Sequence, residues 1–505
     1  MLIIYCLMSV KHVSKLLIFG YCVVLILRVT LPTINKVILT IKNKQKNKMN
    51  RIKSYLAIAI AVAGFGFSSC SNDDDDNTVE QTTVDVTNTE LKAVLQQKGF
   101  NFNAEGKLIQ DDKVKATTTL DLSNSNLTDV SGLDVLPNLT EVNLSNNKFG
   151  KSFDFSKLPA NVTSVDLTGN EIYEFPGLVN IETAENGDEK VTVLHPLTKL
   201  NLPKSAKYNC NEIPAFFAKN AEADIKMENA SGSLEAYNTL REVPDDDFRA
   251  ILKKTFPSIF NGDKIDVSQR LVNSSEKNKA ITTETADIKN VDGFQYVLAN
   301  RGYEGSTIEL VSTNETTIPY LVINSNIYKI GMSNINTPNG IDLTNATNLC
   351  VAAIGGNKGL ENFDMSASKK FGQRGDDVEF ASMDTPSLVQ IYTCEKLKNV
   401  TFPTAAKAIC FLELANLPSL EKVDLSNIEA MYMLSLGLLP SSCNITYFTP
   451  KRYESTTGKL IFGIDEDVYN RQTTKDFLKA YHENFMQGSV SYESGATSFL
   501  WSTLY

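Results

Sequence analysis

Tryptophan occurs once in 505 residues, as Trp501, and histidine three times. Sugar sites usually rest on aromatic platforms, so a chain this poor in tryptophan gives a glycan little to stack on. Only His195 and His482 follow residue 69. A two-histidine metal site would need them to meet across the chain, and there is no H-E-x-x-H. G-x-S-x-G, a P-loop and a G-x-G-x-x-G after a strand are missing as well. The sequence therefore predicts no enzyme, no cofactor and no metal. None of the eight cysteines forms a C-x-x-C, and past Cys70 five remain, an odd number that cannot all pair internally. They read as small buried hydrophobes, with Cys394–Cys410 or Cys410–Cys443 the conceivable bridges. After Cys70 no apolar run approaches the ~20 residues of a membrane helix.

The first 69 residues lack acids altogether. Ten of the 49 lysines and arginines lie there and none of the 59 acids, so the chain from Cys70 onward carries 39 basic against 59 acidic residues, a net charge of about −20. That balance excludes nucleic acid, whose binding needs cations against phosphate. Met49 opens a complete secretory signal: Arg51 and Lys53, the apolar run Tyr55–Phe67, and a small-residue site ending at Cys70. Residues 1–48 read as an upstream extension from an unused start; the alternative is a start at Met1. A membrane helix through Leu16–Leu27 falls short of the span. Phe67-Ser-Ser-Cys70 resembles a bacterial lipobox, which implies lipidation of Cys70; an ordinary signal-peptidase site before a cysteine is the alternative. The run Asp73–Asp76 resembles the export signal of outer-membrane lipoproteins in certain Gram-negative anaerobes. It implies a cell-surface location, with the membrane touched only through the lipid anchor. Residues 70–88 read as an acidic, disordered tether.

What the chain has is repetition. L-x-x-L-x-L-x-x-N-x-L is spelled at Leu120/Leu122/Ser125/Leu127, at Leu139/Val142/Leu144/Asn147/Phe149 and at Val162/Val165/Leu167/Asn170/Ile172. This is the period and alternation of a leucine-rich repeat, an α/β solenoid of short parallel strands. The amides of Asn147, Asn170 and Asn357 are placed to satisfy backbone groups where each rib turns. Leu197/Leu200/Leu202 continues the series after a polar stretch, Ile181–Lys190, read as a loop. Further ribs are expected at Leu349/Ala352/Ile354/Asn357, Leu397/Val400/Phe402 and Leu420/Val423/Leu425/Ile428.

The layout is used twice. Val86-x4-Leu91-Lys92-Ala93-Val94-Leu95 recurs 157 positions later as Val243-x4-Phe248-Arg249-Ala250-Ile251-Leu252, and Val130-Ser131-Gly132-Leu133 matches Val291-Asp292-Gly293-Phe294. Each module thus begins with a helical cap that shields the first repeat's apolar edge; Asp245–Asp247 supplies helix-start charge. The boundaries predicted are 89–242 for the first capped module and 243–505 for a second, irregular one, the polar residues 219–240 at the end of the first marking the boundary. A helix with Phe477, Leu478, Tyr481 and Phe485 on one stripe is expected to close the C-terminus over Thr473–Phe485, with strands through Trp501. The caps resemble those of leucine-rich repeat lipoproteins of the same anaerobes, the first ribs resemble internalin-type repeats, and Lys398–Pro403 is similar to treponeme-type repeats of bacterial surface antigens. The resemblance implies a fold class and leaves the ligand open.

Residues between the leucines face away from the core. In the first module they stack as an Asp/Asn column (Asp121, Asn143, Asp166) beside hydroxyls (Ser123, Ser145, Thr168) and Glu141, the candidate binding face. They read either as a strip for a partner or as small polar residues suited to a crowded sheet. Asn261-Gly262-Asp263-x-Ile265-Asp266 carries a faint calcium-loop pattern without the closing glutamate. The expectation is a lipid-anchored, surface-exposed binding or adhesion module for a protein partner; the alternative is a glycan-capturing accessory of polysaccharide uptake.

Overall fold

A computed structural model describes residues 82–184, 188–283, 287–373, 387–449 and 461–481, with the backbone of 489–490 and 499–500. Residues 1–81, with the signal, Cys70 and most of the tether, lie outside the described residues, as do His482, Phe485 and Trp501.

Each module opens with the same cap. In the first, β1 (Thr83–Val84) pairs antiparallel with β2 (Leu108–Ile109), and the helix Thr89–Gln97 lies between them in sequence. Asn88 caps that helix, its side chain accepting from Leu91 N at 3.0 Å. Residues 82–88 therefore belong to the cap and not to the tether, because Val86 is buried and Asn88 holds the helix. Five parallel strands follow, β3 (Thr119–Asp121), β4 (Glu141–Asn143), β5 (Ser164–Asp166), β8 (Lys199–Leu202) and β9 (Asp224–Glu228), closed by antiparallel β10 (Leu234–Ala236). Leu120, Val142, Val165, Leu200 and Ile225 stand in one register column, all buried. The two ends of the stretch 181–190, read as a loop, are strands. β6 (Val179–Thr183) and β7 (Glu189–Val193) make an antiparallel hairpin that the alternating burial of its side chains stabilises. Residues 219–240 are not a linker: they contain the helix end at Lys219 and then β9 and β10. Only Ile225 is fully buried in β9, too few apolar positions for the strand to be visible in the sequence.

The second cap reproduces the first. β11 (Leu240–Arg241) pairs with β13 (Lys264–Asp266) in the register that β1 and β2 use, and β12 (Phe260–Asn261) adds a third strand. The module thus starts at β11 instead of at Val243. Asp245 caps the helix Asp246–Thr255, accepting from Phe248 N at 3.0 Å. Acids sit in its first turn and Lys253 and Lys254 in its last, matching the helix dipole. The calcium-like stretch is a tight hairpin turn between β12 and β13, with Asp263 paired to Lys253 at 3.0 Å.

Beyond the cap, turns of the second module contribute two strands each. After β14 (Ile281–Thr282) come β15 (Thr307–Thr317) and β16 (Leu321–Val322), β17 (Lys329–Asn336) and β18 (Ile341–Asp342), β19 (Val351–Gly355) and β20 (Asn362–Asp364), β21 (Leu388–Tyr392) and β22 (Asn399–Thr401), β23 (Ala408–Ala415) and β24 (Lys422–Asp424), β25 (Ala430–Gly437) and β26 (Asn444–Thr446), then β27 (Ile461–Ile464). The first strand of each pair, with β14 and β27, builds an eight-stranded, wholly parallel sheet. The second strands form two shorter parallel sheets, β16 with β18 and then β20, β22, β24 and β26. One apolar core contains the inward columns of both: Ile330, Ala352, Val389, Leu412 and Leu434 from the long strands, Phe363, Val400, Val423 and Ile445 from the short ones.

This corrects two expectations. The second module is not the irregular one; its ladder is the longer. The three ribs read there are not rungs of one sheet either: Ala352 and Ile354 lie on long β19, whereas Val400 and Val423 lie on short β22 and β24. A 23-residue period is shared by both faces of a turn, so spacing alone cannot tell them apart. The closing helix spans Gln472–Tyr481, with the Phe477 ring stacked on Tyr447 at 4.5 Å. Among the described residues no disulfide involves Cys210, Cys350, Cys394 or Cys443. No helix among the described residues is long and apolar enough to cross a membrane.

Gly132 and Gly293 occupy equivalent places, and both have positive φ, +95° and +120°. A Cβ on Gly132 would sit 3.7 Å from Leu91 and 3.9 Å from Val86, but one on Gly293 would come within 2.8 Å of Val243. Val86 and Val243 are themselves equivalent, so the duplication extends to individual contacts. Gly132→Ala should cost about 1–2 kcal/mol, from the left-handed backbone alone. Gly293→Ala should cost roughly 3 kcal/mol, because overlap with a buried, χ1-stiff valine is added. Urea denaturation of the two variants measures the difference; equal losses would refute the assigned contact.

Candidate functional site

The columns of the candidate face run over more rungs than the sequence indicated. Register aligns Thr119, Glu141, Ser164, Lys199 and Asp224 in one column and Asp121, Asn143, Asp166, Asn201 and Lys226 in the next. Five rungs at about 4.8 Å make a strip roughly 19 Å long. Cross-rung contacts tie it together: Asn201 Nδ2 donates to Asp166 Oδ2 at 2.8 Å, and Lys199 approaches Glu141 at 4.0 Å.

The Asp/Asn column has a structural task in addition. Asp121, Asn143 and Asp166 each accept from the backbone N–H two residues on, at Ser123 (3.0 Å), Ser145 (3.0 Å) and Thr168 (2.9 Å). These are Asx turns that end the strands. The Ser123 N–H, followed by its hydroxyl, holds the Asp121 carboxyl below the usual carboxylate range. Asp342-Leu343-Thr344, Asp364-Met365-Ser366 and Asp424-Leu425-Ser426 repeat the device in the second module. Asp121 and Glu141 are exposed, and Ser123, Asn143, Asp166 and Thr168 are half-exposed. Ser145 at 8 % exposure and Asn201 at 6 % are buried, which removes both from the exposed binding face.

Beneath the face runs an asparagine ladder. Asn147 Oδ1 accepts from Ser125 N and Leu127 N, and its Nδ2 donates to Leu122 O and Leu144 O at 2.9 Å each. Asn170 Oδ1 accepts from Asn147 N at 2.9 Å while its Nδ2 donates to Leu144 O and Leu167 O. Asn357 accepts from Thr337 N and Leu360 N in the second module.

A second concavity could not be read from the sequence, because it lies where the modules meet. An open cleft of about 670 Å³ is lined by Lys151 from the first module and by Gly340, Asp342, Thr344, Asn362 and Asp364 from the second, among others. Lys151 lies over the Tyr173 and Tyr320 rings at 5.5 and 5.9 Å. Burial lowers its pKa, against the pull of Glu171. Burial also opposes charge on Asp342, but the Thr344 hydroxyl and N–H and the Tyr320 hydroxyl outweigh it, and the carboxyl is held low. The D-L-T phrase at 342–344 was the one signal available for this site.

His195 is buried, its Nε2 2.9 Å from Val162 O, and burial pushes its pKa down. No cluster of three metal-ligating side chains exists among the described residues.

No protein-family model matches the sequence, and no curated protein does. Among solved structures, a leucine-rich repeat protein of Leptospira interrogans is 14% identical, over 78% of this chain and 99% of that one, at a TM-score of 0.19. A score that low carries no argument about fold or function. What the strand pairing itself establishes is a mixed α/β chain dominated by stacked parallel strands.

Proposed function

We propose that this chain is a lipid-anchored, cell-surface, non-catalytic binding module of the leucine-rich repeat solenoid class, and that its ligand is a protein. The strip of outward polar side chains on a sheet whose backbone is pinned by Asx turns and asparagines carries the reading. Such a face presents fixed donors and acceptors with little ordering cost on binding. The alternation of Glu141, Lys199, Asp224 and Lys226 suits a mixed-charge protein surface. A glycan lacks its platform here: the exposed large apolar side chains among the described residues are Leu194, Leu234, Val272 and Leu438, none aromatic.

Two measurements test this. Cys70→Ser should abolish palmitate incorporation and release the protein from the membrane; retained labelling would refute the anchor. Binding of the full chain to arrayed extracellular proteins and arrayed glycans should give a protein hit that Glu141→Lys with Asp166→Lys weakens at least about tenfold, some 1.4 kcal/mol. Glycan binding alone, unaffected by that pair, would overturn it.

A further inference from the structure

We propose that Leu438 is an apolar anchor for a protein partner whose surface offers a hydrophobic pocket rimmed by lysine or arginine. It lies at the end of long strand β25 in the second module. The proposal is independent of the first-module strip.

Leu438 occupies a position that the other rungs fill differently. Ser333, Gly355, Tyr392, Ala415 and Gly437 form one register column on five successive long strands. The residue after each is left-handed: Asn334, Gly356, Thr393, Asn416 and Leu438 have φ between +52° and +66°. The first module turns the same way at Asn124, Asn146 and Gly169. Glycine takes that backbone without a Cβ clash, and asparagine tolerates it through local hydrogen bonds. Asn334 Nδ2 donates to Ser312 O at 2.8 Å, and Asn416 Nδ2 donates to Thr393 Oγ1 at 3.3 Å, which ties Thr393 into the column as well. A leucine has neither remedy. Its side chain is 67 % exposed, so burial does not offset the strain. The next residue, Leu439, does the packing, at 5 % exposure. A bulky side chain kept in a strained and solvated place points to a task outside the fold.

The turn holds that side chain still. Asp465 Oδ2 accepts from the Leu438 N–H, and its Oδ1 accepts from Val468 N at 2.8 Å. Arg471 Nη2 donates to Leu439 O and Pro440 O, at 3.0 Å each, and its Nη1 to Cys443 O at 3.0 Å. A leucine on a backbone ordered before contact loses little freedom on binding and gains by leaving water.

The surroundings specify the partner's chemistry. Glu466 and Asp467, both exposed, follow Asp465 in the chain. Arg471 is engaged by three carbonyls of the turn. Carboxylates beside an apolar tip favour a pocket with cations at its edge. They oppose an anionic membrane surface, which attracts basic segments. A leucine also gives a sugar ring no platform to stack on.

Leu438→Asn, the residue found at 334 and 416, tests this in the full chain. It should raise the urea midpoint, because strain is relieved and little packing is lost, so a loss of binding in this variant is not unfolding. On an array of purified extracellular proteins, at least one should bind the wild type and lose about tenfold or more with Leu438→Asn. Glu466→Lys with Asp467→Lys should weaken that same protein, and Leu438→Met should keep it. Glu141→Lys with Asp166→Lys should leave it unchanged, which separates this surface from the strip. A lowered urea midpoint for Leu438→Asn, or no arrayed protein that distinguishes it from the wild type, would overturn the proposal.

Discussion

Glu189→Ala is expected to split one thermal transition into two and to cost roughly 2–4 kcal/mol. Glu189 begins β7 of the inserted hairpin and reaches into the second module, where Arg270 Nε and Arg301 Nε each approach its carboxylate, at 3.2 and 3.1 Å. The three side chains are 14–20 % exposed. Arg301 Nη1 also donates to Cys210 O at 3.1 Å. Deleting the carboxylate removes the negative charge that two mostly buried guanidiniums share, the situation in which breaking a buried pair costs most. The modules have separate cores, so they should then melt independently. Glu189→Gln keeps the shape and should lose most of the same stability, because the charge is what is missing. Calorimetry decides: a single transition within about 0.5 kcal/mol of wild type would show that the clasp contributes no more than an exposed pair.

Asn170→Ala should destabilise the first module by about 3 kcal/mol, and Asn147→Ala by less. Asn170 is 3 % exposed, and its amide satisfies Asn147 N, Leu144 O and Leu167 O. Each group orphaned away from water costs about 1–3 kcal/mol. Asn147 makes more hydrogen bonds but is half-exposed, so water can replace part of them. Burial therefore outranks bond count. Asn143→Ala, which loses one Asx turn on the surface, should stay below about 1 kcal/mol. Urea midpoints of the three variants test the order; a larger loss for Asn147→Ala than for Asn170→Ala would contradict it.

Sequence alone determined the first ladder. Leu120, Val142 and Val165 stand in register as their spacing required, since side chains that alternate about the strand and recur every 22 or 23 residues can share one core only by stacking. It also determined the two caps, because helix-start chemistry at Asn88 and Asp245 is local. Tertiary structure decided the rest. Whether a repeated aliphatic pair belongs to the long or a short sheet depends on which face of the turn it occupies, and Ile354 and Val423 carry no local mark of that. The hairpin holding Glu189 reads as a polar loop because its buried partners, Arg270 and Arg301, lie far away in the chain. Lys151, Tyr173, Tyr320 and Asp342 are unremarkable in one dimension. They become a cleft only where the end of one core meets the beginning of the next, and no spacing rule encodes that meeting.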